Sequence, residues 1–114
     1  MFLSSLLFVG GFYAGLMMTA KGPMVLEYNV RFGDPECQPL LMRLDSDLLE
    51  IMFSCIQGRL DRQVVHWSPK SALCVVLAAE GYPGSYKKNT VIRGLDEANA
   101  VEGVAVLHAG TARN

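Results

Sequence analysis

The chain has 114 residues, of which 51% are hydrophobic and 18% are charged, a composition typical of a globular protein with one domain. Its formal net charge is -1 and its lysines and arginines are scattered, which excludes the basic stripe of a nucleic-acid-binding protein. Its three cysteines lack the spacing of a metal site and indicate a reducing compartment, cytoplasmic or organellar stroma.

The first eighteen residues are apolar and carry no charge, and the first charged side chain is Lys21. A signal peptide would begin with a positively charged region, which this segment lacks. Gly10, Gly11 and Gly15 interrupt the apolar run. This punctuation favours buried strands over a membrane span, so we expect no membrane partner.

A hairpin followed by two helices is predicted for the first half of the chain. Residues 12–18 and 24–32 are strand candidates joined by a turn that contains Gly22 and Pro23. Asp34 is expected to cap a helix that begins at Pro35 and ends near residue 44. Asp47, with Glu50 three residues later, is expected to cap a second helix that ends near residue 57.

The second half of the chain mixes shorter elements. Residues 64–67 are a candidate short strand, and the continuous apolar run 72–79 is typical of a strand buried on both faces. A turn at 81–84, a helical turn at 96–100 and a strand at 104–107 follow. Strands and helices therefore alternate, and the predicted fold class is α/β or α+β.

The strand at residues 24–32 places polar side chains on one of its faces. Glu27, Asn29 and Arg31 alternate with apolar residues, so all three share a side. A carboxylate and an amide oxygen about 7 Å apart along a strand can reach one Mg²⁺ ion, and an arginine can hold a phosphate through a bidentate fork. The alternative is an ordinary amphipathic strand whose polar face is solvated.

The turn after this strand adds a second candidate feature. Gly33 permits unusual backbone geometry, and Asp34 with Pro35 is expected to start a helix whose N–H groups and dipole can hold an anion. Such a set would suit a nucleoside triphosphate or an acyl phosphate. The alternative is a strand-to-helix turn with ordinary capping.

Residues 26–38, which read LEYNVRFGDPECQ, closely resemble the signature of the phosphoribosylamine–glycine ligase family, also called glycinamide ribonucleotide synthetase. The E-x-N-x-R part is similar to the broader ATP-grasp pattern that biotin carboxylases share. The segments YAGLM at 13–17, CVVLAAEGYPGSY at 74–86 and HAGT at 108–111 extend the resemblance from about residue 8 to residue 111. Residues 1–7 stand outside it.

The resemblance implies a role for each matching residue. Glu27 and Asn29 match ligands of Mg²⁺ or Mn²⁺, and Arg31 matches the catalytic arginine that faces the transferred phosphate or the substrate. Arg31, Gly33 and Asp34 are the residues expected to contact the nucleotide. The implied substrates are ATP, glycine and 5-phosphoribosylamine, which the family joins through a glycyl phosphate in purine biosynthesis.

The resemblance also implies how the chain is organised. Residues 1–64 are expected to be the end of an ATP-grasp catalytic domain, and residues 65–114 the beginning of the ligase's C-terminal domain. The upstream nucleotide-clamping elements of the family would be missing, so we expect the chain to be inactive by itself. Two alternatives are an inactive remnant that acts by protein association and a different ATP-grasp carboxylate–amine ligase, against which the RFGDPE run argues.

Overall fold

A computed structural model describes residues 8–113 of the chain. A strand–strand hairpin comes first and is followed by short helices, which agrees with the predicted mixed fold class. The elements are β1 (Tyr13–Thr19), β2 (Gly22–Asn29), α1 (Cys37–Met42), α2 (Leu48–Ile56), a 3-10 turn (Leu60–Arg62) and α3 (Leu95–Asn99).

The predicted hairpin is confirmed. β1 and β2 pair antiparallel in a two-stranded sheet, and Thr19 lies opposite Gly22 at the turn. Gly22 has φ +99°, a backbone conformation that glycine adopts without a steric cost. The Thr19 hydroxyl donates to the Gly22 carbonyl oxygen at 2.8 Å and closes the turn. β2 ends at Asn29 rather than at residue 32, because the chain turns away from β1 after the Tyr13–Asn29 pair.

The predicted start of the first helix is wrong. Asp34 does not cap a helix that begins at Pro35, because α1 begins at Cys37 and its N-cap is Glu36, without a side-chain capping hydrogen bond. Pro39 gives the physical reason. A helix from Pro35 would need the N–H that Pro39 lacks, whereas a start at Cys37 leaves Pro39 in the first turn, where no helical N–H is required.

The second helix begins and ends where the sequence predicts, and hydrogen bonds cap both of its ends. At its start, the Asp47 carboxylate accepts from the N–H of Leu49 at 2.8 Å and from that of Glu50 at 3.4 Å. At its end, Gly58 has φ +64°, and the N–H groups of Gly58 and Arg59 donate to the carbonyls of Cys55 and Ser54. This pair of hydrogen bonds is the Schellman arrangement.

The Asp47→Ala variant is expected to destabilise α2 by about 1 kcal/mol, because two N–H groups lose their acceptor. Urea unfolding followed by far-UV circular dichroism of the helix measures this loss. The control is Asp61→Ala, since Asp61 stands in the 3-10 turn and not at the start of α2. Equal midpoints for the two variants would contradict a capping role for Asp47.

A two-stranded contact replaces the short strand predicted at 64–67. Leu44 and Trp67 form an isolated antiparallel bridge, and the Ser68 N–H donates to the Arg43 carbonyl at 2.7 Å. The Arg43 guanidinium returns a hydrogen bond to the Ser68 carbonyl at 3.0 Å. The segment after α2 is thus held against the end of α1.

The strands predicted at 72–79 and 104–107 are not formed. The sheet of residues 8–113 contains β1 and β2 alone, so the apolar run at 72–79 has no strand beside it to accept its backbone hydrogen bonds. Leu73 and Leu77 are 87% and 90% exposed. The turn at 81–84 is confirmed by the Gly84 N–H, which donates to the Gly81 carbonyl at 2.8 Å, and α3 confirms the helical turn near 96–100.

Among residues 8–113, no apolar side chain is buried. Ser54 is the buried polar residue of α2, and its hydroxyl bonds the Gln63 side chain at 3.1 Å. The described elements are therefore held by local hydrogen bonds and half-buried contacts rather than by a closed hydrophobic core.

Two compact units divide the chain, the first ending at Val76 and the second beginning at Leu77. The domain boundary predicted between residues 64 and 65 stays a prediction. Within residues 8–113, no helix has both the length and the apolar character needed to cross a membrane. Cys37, Cys55 and Cys74 are free thiols.

Candidate functional site

Two of the predicted site residues meet on one face of β2. The Asn29 side-chain amide donates to Oε1 of Glu27 at 3.0 Å, so both polar heads lie on the same side of the strand. On the other side, the Tyr28 ring stacks on Phe12 with ring centroids 5.2 Å apart. The alternation of polar and apolar faces predicted from the sequence is present at these positions.

Glu27 is one of the residues that line a shallow cavity of about 320 Å³. Its lining is contributed by both strands of the hairpin and by the residue that precedes α1, namely Tyr13, Gly15, Leu16, Leu26, Glu27 and Glu36. Glu27 and Glu36, which are nine positions apart in the sequence, therefore line the same cavity.

Glu36 is a cavity residue that no sequence pattern indicated as part of a site. The chain turns back after Arg31, and the Cys37 N–H donates to the Gly33 carbonyl at 3.0 Å. Gly33 is buried, and a side chain there would collide with the Glu36 carboxylate. The signal in the sequence was Gly33 itself. Its φ is not positive, and what makes room for the Glu36 carboxylate is the absence of a Cβ.

Arg31 lies beyond the end of β2 and bonds its own loop. Its Nη1 donates to the Phe32 carbonyl oxygen at 2.8 Å. The remaining guanidinium N–H groups can hold a phosphate or carboxylate in a planar fork. The structure thus places Arg31 two residues beyond the end of β2, the strand that carries Glu27 and Asn29.

Asp34 does not contribute to an anion-binding helix start. Its carboxylate accepts from the Gln38 side chain at 3.1 Å, as a local bond within the turn and the first residues of α1. Since α1 is six residues long and begins at Cys37, the helix N-terminus predicted at Asp34 and Pro35 is not formed there. A role for Asp34 beside a nucleotide stays a prediction.

The donor set fits a hard divalent cation. Mg²⁺ usually takes one or two carboxylates together with waters and substrate phosphates, and it needs oxygen donors within a few ångströms of one another. Glu27 and Asn29 meet at 3.0 Å, and rotation of the amide about its terminal bond would present Oδ1. Within residues 8–113 no cluster of three or more His, Cys, Asp or Glu side chains is arranged for a metal.

Two family models match the chain in sequence order. The ATP-grasp (A) domain of phosphoribosylglycinamide synthetase matches residues 2–37, and the C domain of the same synthetase matches residues 72–114. The first match includes Glu27, Asn29 and Arg31 and starts at residue 2. The expectation that residues 1–7 stand outside the resemblance is therefore wrong for residues 2–7.

Several relatives of this chain carry the name phosphoribosylamine–glycine ligase. That of Agrobacterium fabrum is 58% identical over 105 residues, which cover 92% of this chain and 24% of the relative. The Vigna unguiculata protein is 55% identical over 108 residues, 92% of this chain and 35% of the relative. The Rhodopirellula baltica protein is 54% identical over 107 residues, 93% of this chain and 24% of the relative. The chain spans about a quarter to a third of the length of these relatives.

Proposed function

We propose a function from one premise: the chain belongs to the phosphoribosylglycinamide synthetase family, of which two domain models match it in order. The chain is part of an ATP-dependent ligase that joins glycine to 5-phosphoribosylamine. The observation that carries this proposal is the meeting of Glu27 and Asn29 on β2, inside the segment that matches the ATP-grasp domain. The names of the relatives support the choice of substrates.

The proposed role of Glu27 and Asn29 is to hold Mg²⁺ or Mn²⁺ beside the phosphates of ATP. Glu27 supplies a carboxylate, Asn29 supplies an amide oxygen, and the phosphates and water complete the oxygen donors. A cation in this place neutralises charge on the phosphoryl group during its transfer. The two side chains are held in register by the hairpin, because Tyr13 and Gly15 pair with Asn29 and Glu27.

The proposed role of Arg31 is to orient the transferred phosphoryl group or the carboxylate that receives it. Its fork of N–H donors suits either group and supplies positive charge where negative charge develops. Gly33 lets the chain fold back so that Glu36 reaches the cavity, and Asp34 holds the turn through Gln38. Gly33 and Asp34 are thus proposed to shape the phosphate side of the site.

The proposed reaction proceeds in two steps. An oxygen of the glycine carboxylate takes the γ-phosphoryl group of ATP, and ADP leaves. The nitrogen of 5-phosphoribosylamine then attacks the acyl carbon, phosphate leaves, and the nitrogen loses a proton. The residues of this chain contribute chiefly position and electrostatic stabilisation, as is usual for phosphoryl transfer.

A cytoplasmic or organellar-stromal location is proposed with this function. The three free thiols are consistent with a reducing compartment, and the relative of Arabidopsis thaliana is named as chloroplastic. A remnant that acts by association is the second candidate, which the large exposed apolar surface favours.

ADP release tests the proposal on the full polypeptide that carries this sequence. We expect release that needs ATP, glycine, 5-phosphoribosylamine and a divalent cation together, with background rates when any one is omitted. Release that is independent of glycine would contradict the proposed reaction, and preference for another carboxylate or amine would support a different ATP-grasp ligase.

The 114-residue chain expressed by itself is expected to release no ADP above a protein-free blank. It covers 24% to 35% of the three relatives above, and Glu27 is exposed beside a half-buried Asn29, so the pair holds ATP weakly without further contacts. A coupled assay with all three substrates measures this. Glycine-dependent ADP release from the pure chain would overturn the expectation.

A further inference from the structure

Gly15 lies opposite Glu27 across the hairpin, at the point where β1 changes register. Tyr13 pairs with Asn29 and Gly15 with Glu27, and a β-bulge follows between Gly15 and Leu16. Directly opposed residues of two antiparallel strands project on the same face. Any side chain at position 15 would therefore stand beside the Glu27 side chain.

The space above Gly15 is filled by the Glu27 side chain. A Cβ added to Gly15 would lie 3.2 Å from Cγ of Glu27, closer than such atoms ordinarily approach. The same Cβ would lie 3.7 Å from the backbone oxygen of Glu27 and 3.8 Å from its nitrogen, which are ordinary contacts. The conflict is thus confined to one side chain.

Backbone freedom does not explain a glycine at this place. The φ of Gly15 lies outside the left-handed region, in contrast with Gly10 and Gly22. Its conformation is that of a strand residue, which alanine adopts without strain. What position 15 lacks is the Cβ.

We propose that Gly15 is a positioning residue for the carboxylate of Glu27. The missing Cβ leaves room for Cγ of Glu27, whose Oε1 accepts from the Asn29 amide at 3.0 Å and whose side chain lines the cavity. An alanine would displace Cγ of Glu27 by a few tenths of an ångström and turn the carboxylate away from Asn29. This inference rests on the proposed function, in which Glu27 and Asn29 hold one cation.

The first test is Mn²⁺ binding by Gly15→Ala in the full polypeptide that carries this sequence. Electron paramagnetic resonance of free Mn²⁺ gives the Kd with the metal alone as probe. We expect a Kd raised about tenfold, since residues that orient metal ligands typically contribute 10- to 100-fold to affinity.

The matched control is Gly11→Ala. Its added Cβ would meet the Phe32 ring at 3.7 Å, an ordinary contact, and Gly11 also lacks a positive φ. We expect the wild-type Kd for this variant. A Kd in Gly15→Ala equal to that of Gly11→Ala would overturn the proposal, as would a Gly15→Ala protein that fails to fold while Gly11→Ala folds.

The second readout does not depend on metal. The side-chain amide signals of Asn29 in ¹⁵N-edited NMR report its hydrogen bond to Glu27. We expect them to shift in Gly15→Ala and to stay in place in Gly11→Ala. Unchanged Asn29 signals in Gly15→Ala would overturn the positioning role. No Mn²⁺ binding by the wild-type protein, together with the expected Asn29 shift in Gly15→Ala, would refute the proposed metal site alone.

Discussion

Glu27→Gln is expected to lower the rate of ADP formation by the full polypeptide about 100-fold or more. The substitution removes the carboxylate charge but keeps the size of the side chain and an oxygen that can accept from the Asn29 amide. The hairpin should therefore stay intact while the affinity for a divalent cation falls. A rate that recovers partly at high Mg²⁺ would identify cation binding as the lost property.

The measurement combines initial rates over a Mg²⁺ titration with Mn²⁺ binding in the absence of substrates. The control is Glu102→Gln, which makes the same chemical change at an exposed turn of the second unit. We expect wild-type rates and Mn²⁺ affinity for the control. Glu27→Gln with more than half of the wild-type rate at every Mg²⁺ concentration would refute a ligand role for Glu27.

Local signals in the sequence predicted the hairpin and α2 well, because the interactions that form them lie within a few residues. Asp47 satisfies N–H groups two and three positions ahead, and Gly58 ends the helix through bonds to Ser54 and Cys55. The turn at Gly22 brings the two strands together without distant partners. At each end of α2 and at the hairpin turn, the donors and acceptors lie within a few residues of one another in the sequence.

The misplaced helix start shows how one residue can outweigh a favourable cap. Asp34 and Pro35 form a typical start signal, but Pro39 four residues later lacks the N–H that such a helix requires. The structure begins α1 at Cys37 instead, and Asp34 bonds Gln38. The signal against the prediction was present in the sequence and lay just downstream.

The apolar run at 72–79 could not be assigned from its own residues. A continuous run of this kind indicates burial on both faces, and burial requires neighbouring strands. Among residues 8–113 the sheet holds β1 and β2, and Leu73 and Leu77 remain almost fully exposed. The composition of residues 72–79 indicated a preference for a buried strand. Whether that strand forms depends on neighbouring strands, which the segment itself does not contain.

The candidate site was predictable as far as it lies on one strand. Residues two positions apart in a strand project on the same face, so the sequence predicted that Glu27 and Asn29 lie together. The hydrogen bond between their side chains agrees with this geometry. The contributions of Gly15 and Glu36 arise from strand register and from the return of the chain at Gly33. These are relations between segments, and no spacing within a single segment encodes them.

Arg31→Lys is expected to lower kcat about 10- to 100-fold with a smaller change in the KM for ATP. Lysine keeps the positive charge but loses the planar fork that can hold a phosphoryl group through two hydrogen bonds. If positive charge alone mattered, arginine and lysine would give the same kcat. The decrease in kcat therefore measures the contribution of the two parallel hydrogen bonds that arginine can form. Steady-state rates with saturating glycine and 5-phosphoribosylamine give kcat and KM separately.

Arg43→Lys is the matched control, because Arg43 also donates from one guanidinium nitrogen to a backbone carbonyl. Its bond reaches Ser68 at 3.0 Å, and that of Arg31 reaches Phe32 at 2.8 Å. A purely structural role for both arginines would give similar losses of thermal stability and similar rates. We expect the kcat of Arg31→Lys to fall at unchanged thermal stability. We expect Arg43→Lys to retain the wild-type kcat, since the Arg43 hydrogen bond joins residues 43 and 68 and involves no residue of β2. Equal kcat values for the two variants would assign Arg31 to its loop and contradict its proposed role at the phosphoryl group.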